Sequence, residues 1–204
     1  MMVSIAQTTK KYRGRKAETY DEIRQKQRRW KIENEVVGRM LADLRPASVL
    51  DCPVGTGRFM KTYADLSVSV VIGVDASEEM IALARKKIPR SMKQHAEIDL
   101  HVGDARKTDA SDMLIDVVVC VRFLDLIDEE AMRAVVKELC RVARRAVILT
   151  IRLGPKYVPK VNTATHAEKP FFRMVDQAGW EFAERVPVLN AGWEIIRLER
   201  KGRK

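Results

Sequence analysis

Lys10-Lys11-Tyr12-Arg13-Gly14-Arg15-Lys16 is polar and basic and shows no periodicity; such a stretch predicts no packed element. Apolar periodicity begins near Glu18. Ile23, Trp30, Val37 and Leu44 recur at seven-residue intervals, with Met40 and Leu41 on the same face. This predicts one long helix or two shorter ones, stopped at Arg45-Pro46 because the residue before proline is pushed out of the helical region. Beyond Pro46, short β-rich runs alternate with helical patterns. Strands are expected at 47–50, 68–74, 98–102, 115–121 and 146–151, and helices at 58–66, 78–88, 128–143 and 170–178. Ser77 and Asp128 stand at N-cap positions, each followed by two glutamates suited to the positive end of a helix dipole. The ending differs, because 181–188 and 193–199 read as strands joined by Leu189-Asn190-Ala191-Gly192, a hairpin turn.

Strands alternating with helices imply an α/β fold: a doubly wound, mostly parallel sheet covered on both faces. A C-terminal antiparallel hairpin finishes it, and a helical N-terminal extension precedes it. The 204 residues suffice for one such core. The expected organisation is a basic flexible tail at 1–17, a helical extension at 18–45 that could serve as a lid, a single ligand-binding domain at 46–200 and a second basic tail at 201–204.

Charge alters this picture only at the ends. Residues 1–45 carry 12 Lys/Arg against 6 Asp/Glu, residues 197–204 carry 5 against 1, and residues 46–196 balance at 21 each. The net charge of +10 therefore belongs to the termini. It suggests an electrostatic tether to nucleic acid or another polyanion, or a solvated tail, rather than a basic groove in the core. No apolar run reaches the roughly 18 residues of a membrane span, and the first 16 residues lack a signal-peptide core, so a cytoplasmic protein is expected. Cys52, Cys120 and Cys140 are scattered, without metal-ligand spacing, and no metal is expected.

The candidate chemistry lies in Val49-Leu50-Asp51-Cys52-Pro53-Val54-Gly55-Thr56-Gly57-Arg58-Phe59, where an apolar strand ends on an acid and runs through two glycines toward a helix. Gly55 and Gly57 would let the backbone approach a nucleotide, and a following helix N-terminus offers unpaired N–H groups. Asp75 ends the second strand, 18 residues beyond Gly57, where an acid suits ribose hydroxyls. Asp104 ends the third, where it would receive an amino group. Three acids at the ends of three successive strands are hard to treat as separate turn residues.

This pattern resembles the acid-x-Gly-x-Gly-x-Gly signature of class I, Rossmann-like S-adenosylmethionine-dependent methyltransferases, with Pro53 in place of the first glycine. The resemblance spans roughly 47–200, and the terminal hairpin looks like the last two strands of that fold. It implies S-adenosyl-L-methionine as cofactor, with Asp51, Pro53, Gly55 and Gly57 beside its methionine part and Asp75 at the ribose. Ala76, Met80, Asp104 and Ala105 would flank the adenine. A nicotinamide-dependent oxidoreductase uses a related turn, but its third glycine is replaced by Met60.

The methyl acceptor is less legible. Neither the Asn/Asp-Pro-Pro-aromatic motif of amino-methylating nucleic-acid enzymes nor the placed cysteine of 5-methylcytosine enzymes is present; Val121-Arg122-Phe123-Leu124-Asp125 follows the fourth strand. Arg122 would line cofactor or acceptor. Tyr20 and Arg24 of the leading helix and Arg152, Tyr157, Asn162 and His166 of the loop after strand five are candidates for the acceptor side. His166 and Tyr157 are the candidates for a base, which methyl transfer needs only if the acceptor must lose a proton. The sequence supports an oxygen or nitrogen acceptor, with a small metabolite or sugar-like group ahead of RNA or protein. A noncatalytic cofactor-binding partner subunit remains a further alternative.

Overall fold

The computed structural model describes residues 20–159, 163–189 and 192–202. The basic stretch at 1–17, Asn162 and the turn residues Asn190 and Ala191 lie outside them. Two helices lead, α1 (Tyr20–Gln25) and α2 (Arg28–Leu44). Ile23 is 59% exposed. The chain bends at 26–27, where the Gln27 N–H donates to the Arg24 carbonyl, and the seven-residue stripe does not continue across the bend. Arg45 closes α2 in the left-handed region (φ 44°), which is how the chain leaves the helix before Pro46.

The alternating units follow as β1 (Ser48–Asp51), α3 (Met60–Asp65), β2 (Val70–Asp75), α4 (Glu78–Lys86), α5 (Met92–His95), β3 (Glu97–Val102) and β4 (Ile115–Cys120). A 3-10 turn at Leu124–Leu126 leads to α6 (Glu129–Val142), β5 (Ala143–Gly154), the short strands β6 (Val158–Pro159) and β7 (Ala164–Ala167), α7 (Glu168–Gln177), β8 (Trp180–Val188) and β9 (Trp193–Arg200). Ser77 and Asp128 cap as expected, accepting from the Met80 and Ala131 N–H groups. β5 extends beyond the expected 146–151 because charged residues mask its ends. At one end the Arg145 guanidinium donates to the Leu44 carbonyl; at the other Arg152 lies over the Trp193 ring.

The sheet runs β3-β2-β1-β4-β5, all parallel; β9 pairs antiparallel with β5, and β8 with β9. β6 and β7 attach at the far end of β5. β4 is buried along its whole length, as a central strand covered on both faces must be. One face packs α2, α3 and α4 through Val37, Met40, Met60, Tyr63, Ile81 and Ala84. The other packs α6 and α7 through Val135, Leu139, Phe171 and Val175. β1 has β2 on one side and β4 on the other, so the strand order reverses there. The carboxyl ends of β1 and β4 then frame the crevice where open α/β sheets bind ligands. Among the described residues no helix is long and apolar enough to cross a membrane.

Candidate active site

A cleft opens at that reversal point. Its walls are Asp51 from the end of β1, Pro53, Gly55, Thr56, Arg58 and Phe59 from the turn that follows, Val121 and Arg122 after β4, and Trp30 from α2. The turn is longer than expected, because helix α3 starts only at Met60 and not at Arg58. Gly55 (φ 54°) and Gly57 (φ 75°) hold the backbone in left-handed conformations that delay the helix. The Cys52–Pro53 peptide is cis.

The two glycines do different things. A Cβ on Gly55 would meet nothing within 4 Å, so this backbone stays open toward the cleft. On Gly57 it would lie 2.9 Å from the Ala84 Cα, so Gly57 sets how closely α4 packs on the turn. Gly55 and Pro53 line the cleft, while Gly57 packs against Ala84.

Asp51 is buried at the cleft floor, where its carboxylate accepts from the Tyr63 hydroxyl at 3.0 Å. Burial raises its pKa to about 7, against the opposing pull of the Tyr63 hydrogen bond and the Arg58 charge. Asp75 accepts from the Gly55 N–H and the Ser77 N–H, both at 2.9 Å, and so ties the first turn to the end of β2. A carboxylate has about four lone-pair positions, which leaves room for ribose hydroxyls, but Asp75 also organises the turn. Burial raises its pKa, opposed by those backbone hydrogen bonds. Ala76 follows it, half-buried. Met80 is buried in the first turn of α4, outside both core clusters.

Asp104 is engaged by its own turn: Arg106 donates to it from both the backbone and the guanidinium, which holds its pKa below the ordinary carboxylate value. Ala105 beside it packs into the core. An adenine amino group at this position would share the carboxylate with Arg106.

The leading helices contribute more than the sequence indicated. Glu33, fully buried, accepts from Arg29 Nε at 2.6 Å and from Arg58 Nη1 at 2.9 Å, and Arg122 Nη1 lies 3.7 Å away. Arg58 lies 3.6 Å over the Trp30 ring and donates to the Trp30 carbonyl and to Asn34. The Gln27 carboxamide oxygen accepts from both Arg24 and Arg122, which links the expected Arg24 to a residue that lines the cleft. Of the Tyr20 side chain nothing is described. Thr56 donates to Asp21 of α1 at 2.8 Å, and Lys87 reaches both, so α1 is latched onto the glycine turn. The sequence places Trp30 on the apolar stripe and Arg58 in the turn, but not their meeting with Glu33, because that depends on α2 crossing the turn. The one local signal was an arginine directly after Gly57.

His166 and Tyr157 do lie together, with ring centroids 5.8 Å apart. His166 is fully buried, with Nε2 2.7 Å from the Leu124 carbonyl oxygen, and burial lowers its pKa, so the imidazole is neutral near pH 7. The carbonyl is only an acceptor, so Nε2 carries the proton and Nδ1 is the acceptor nitrogen. Tyr157 is half-buried, and burial raises its pKa. Arg152 is half-buried beside Trp193, 4.6 Å from the ring centroid.

Comparison with known proteins agrees with this geometry. Residues 49–146 match a family model described as a methyltransferase domain. The chain is 29% identical to a phosphatidylethanolamine N-methyltransferase of Cereibacter sphaeroides over 89% of this chain and 98% of that one. The structure of magnesium protoporphyrin IX methyltransferase from Synechocystis with bound S-adenosylhomocysteine superposes with a TM-score of 0.80 at 18% identity, covering 97% of this chain and 100% of that one. A Burkholderia thailandensis 1,6-didemethyltoxoflavin-N1-methyltransferase superposes with a TM-score of 0.69 at 14% identity over 96% and 86%. The acid-and-glycine turn at the sheet's reversal point lies within the stretch that matches the methyltransferase-domain model, and the chain shares the Rossmann-like fold of these methyltransferases.

Proposed function

We propose that the chain is a class I, Rossmann-like S-adenosylmethionine-dependent methyltransferase and that the methyl group goes to an oxygen or nitrogen of a small-molecule acceptor. The observation that carries this reading is the stacked pair Trp30 and Arg58, which lines the same small cleft as Asp51 and Arg122 and so brings α2 to the acceptor side. The magnesium protoporphyrin IX and didemethyltoxoflavin methyltransferases, as named, act on small molecules.

The bound cofactor supplies an electrophilic methyl group on sulfur. In this reading Asp51, at the floor, receives the cofactor's ammonium, and the open backbone at Gly55 lies along its methionine part. Asp75 takes the ribose hydroxyls, with Ala76, Met80, Asp104 and Ala105 around the adenine. Arg122 and Trp30 bound the acceptor side and exclude water. Holding the acceptor in line with the methyl group is the larger part of the catalytic task.

A second reading, transfer to the amine of phosphatidylethanolamine, is favoured by the relative of that activity that matches nearly end to end. The experiment is incubation of the full chain with methyl-labelled S-adenosylmethionine and, separately, pooled small amines and hydroxy compounds, phosphatidylethanolamine vesicles, total RNA and cell protein. Label is expected in the small-molecule pool. Label only in the vesicles would select the second reading; label only in RNA or protein would overturn both and assign a role to the basic ends.

A further inference from the structure

Beside the cleft, on the far side of Glu33, lies a second polar cluster. Two guanidiniums lie over the Trp193 ring, with Arg29 Cζ 4.4 Å and Arg152 Cζ 4.6 Å from its centroid. The Trp193 indole N–H donates to Asp125 Oδ2 at 3.2 Å, and Arg29 Nη1 lies 3.8 Å from the same oxygen. Four segments converge here: α2, the 3-10 turn after β4, the end of β5 and the start of β9.

Two atoms in this cluster are buried and have no hydrogen-bond partner among the described residues: Arg29 Nη2, a donor, and Asp125 Oδ1, an acceptor. The Asp125 side chain is only 5% exposed and that of Arg29 11%. Buried polar atoms are ordinarily satisfied, because desolvation without a partner is unfavourable. Here one orphaned donor and one orphaned acceptor flank a single aromatic ring. They cannot satisfy each other while Arg29 Nε is committed to Glu33 and the nearest Arg29–Asp125 approach runs through the other oxygen. A single ligand offering both an anion and a hydrogen-bond donor would complete both. Glu33 joins this cluster to the cleft, since it holds Arg29 on one side and Arg58, with Arg122 close by, on the other.

Resting on the small-molecule reading above, we infer that the acceptor is bifunctional: its N–H or O–H meets Asp125, and a carboxylate or phosphoryl group on the same molecule docks on Arg29, with Arg152 alongside. A guanidinium suits this task because its charge is permanent, and Nη2 is the Arg29 donor left for the anion once Nε is committed to Glu33. Asp125 orients the acceptor heteroatom and lies within the segment after β4 that lines the cleft through Val121 and Arg122. The carboxylate and phosphoryl groups share one recognition chemistry, and a phosphoryl group could belong to a free metabolite or a lipid headgroup.

The full chain, saturated with S-adenosylhomocysteine, is titrated calorimetrically with O-phosphoethanolamine and β-alanine as bifunctional probes, ethanolamine as the amine alone and inorganic phosphate as the anion alone. At least one bifunctional probe is expected to bind about tenfold or more tighter than either half. Arg29→Gln should remove that advantage and weaken phosphate while leaving ethanolamine unchanged. Asp125→Asn keeps the volume and should weaken the bifunctional probe but not phosphate. S-adenosylhomocysteine binding, measured on each variant, shows that each is folded. Competition by phosphatidylethanolamine vesicles would place the phosphoryl group on a lipid; its absence would place it on a free metabolite. Equal binding of ethanolamine and both bifunctional probes, or an Arg29→Gln chain that binds them as the parent does, would overturn the inference. Methyl transfer only to uncharged small molecules would remove this inference alone, whereas transfer only to RNA or protein would remove the small-molecule reading and this inference with it.

Discussion

The Tyr63 hydroxyl donates to the Asp51 carboxylate across 3.0 Å, with both groups buried under the floor of the cleft. Tyr63 comes from α3 and Asp51 from the last position of β1, so the hydrogen bond fixes the acid against the helix that follows its own turn. The phenol stays protonated because burial and the adjacent carboxylate both raise its pKa. It therefore remains a donor wherever Asp51 titrates.

The first prediction concerns pH. Asp51 titrates near 7 in the fold against an ordinary 3.8. Between those values the folded chain holds a proton that the unfolded chain has released, so this group's contribution lowers stability as pH rises from about 4 to about 7 and then levels off. A cationic ammonium bound at Asp51 favours the carboxylate, so cofactor affinity should rise with pH through the same range and binding should release a proton below about 7. Titration calorimetry of S-adenosylhomocysteine at pH 6 in two buffers of different ionisation enthalpy measures that proton. Asp51→Asn should abolish the buffer dependence. An enthalpy identical in both buffers for the parent chain would remove Asp51 from the ammonium site.

The second prediction separates the two glycines. Gly57→Ala combines a left-handed backbone with a Cβ placed 2.9 Å from the Ala84 main chain, so α4 must shift. A loss of roughly 2–4 kcal/mol is expected from overpacking added to backbone strain. Gly55→Ala has the left-handed φ but open space, so its stability cost should be nearer 1–2 kcal/mol. Because Gly55 lines the cleft, its variant should lose cofactor affinity out of proportion to stability. Urea unfolding and cofactor titration of both variants test this, and equal stability losses would contradict the packing role of Gly57.

How much of this was legible in the sequence follows from how local each relationship is. The acid, the two glycines and the N-caps at Ser77 and Asp128 are defined by neighbours within a few residues, and the alternating β and α runs by short-range periodicity. Asp75 was legible as a strand-end acid, but not as the acceptor for the Gly55 N–H, because that contact joins two strand ends 20 residues apart. The helix after the turn was placed two residues early, since the positive φ angles of Gly55 and Gly57 carry no hydrophobic signal. Ile23 fitted the seven-residue stripe, yet a break at Gln27 takes it out of register. The Arg29–Glu33–Arg58 cluster was hidden for the opposite reason to the motif. Charged residues on a helix ordinarily read as its solvated face, and only the docking of α2 over the turn buries them.

The last prediction tests that burial. Glu33 is fully buried and is the counter-charge for Arg29 and Arg58, whose side chains are themselves only 11% and 8% exposed. Removing the carboxylate leaves two guanidiniums facing each other with little water to screen them. Breaking a buried charge pair from one side typically costs about 3–5 kcal/mol. For a chain of this size that corresponds to a fall in Tm on the order of 10 °C. The control is Lys61→Ala, which removes an i,i+4 pair with Asp65 whose side chains are 81% and 60% exposed. Solvent and salt screen that pair, so its loss should shift Tm by about 1 °C or less. Glu33→Ala should also loosen Trp30 and Arg58 over the cleft, so its cofactor affinity should fall even at temperatures well below its Tm. Calorimetric scans of both variants with and without S-adenosylhomocysteine separate the two effects. A Glu33→Ala chain as stable as Lys61→Ala would mean that α2 does not hold its charges out of water, and the Trp30–Arg58 wall proposed for the acceptor side would fall with it.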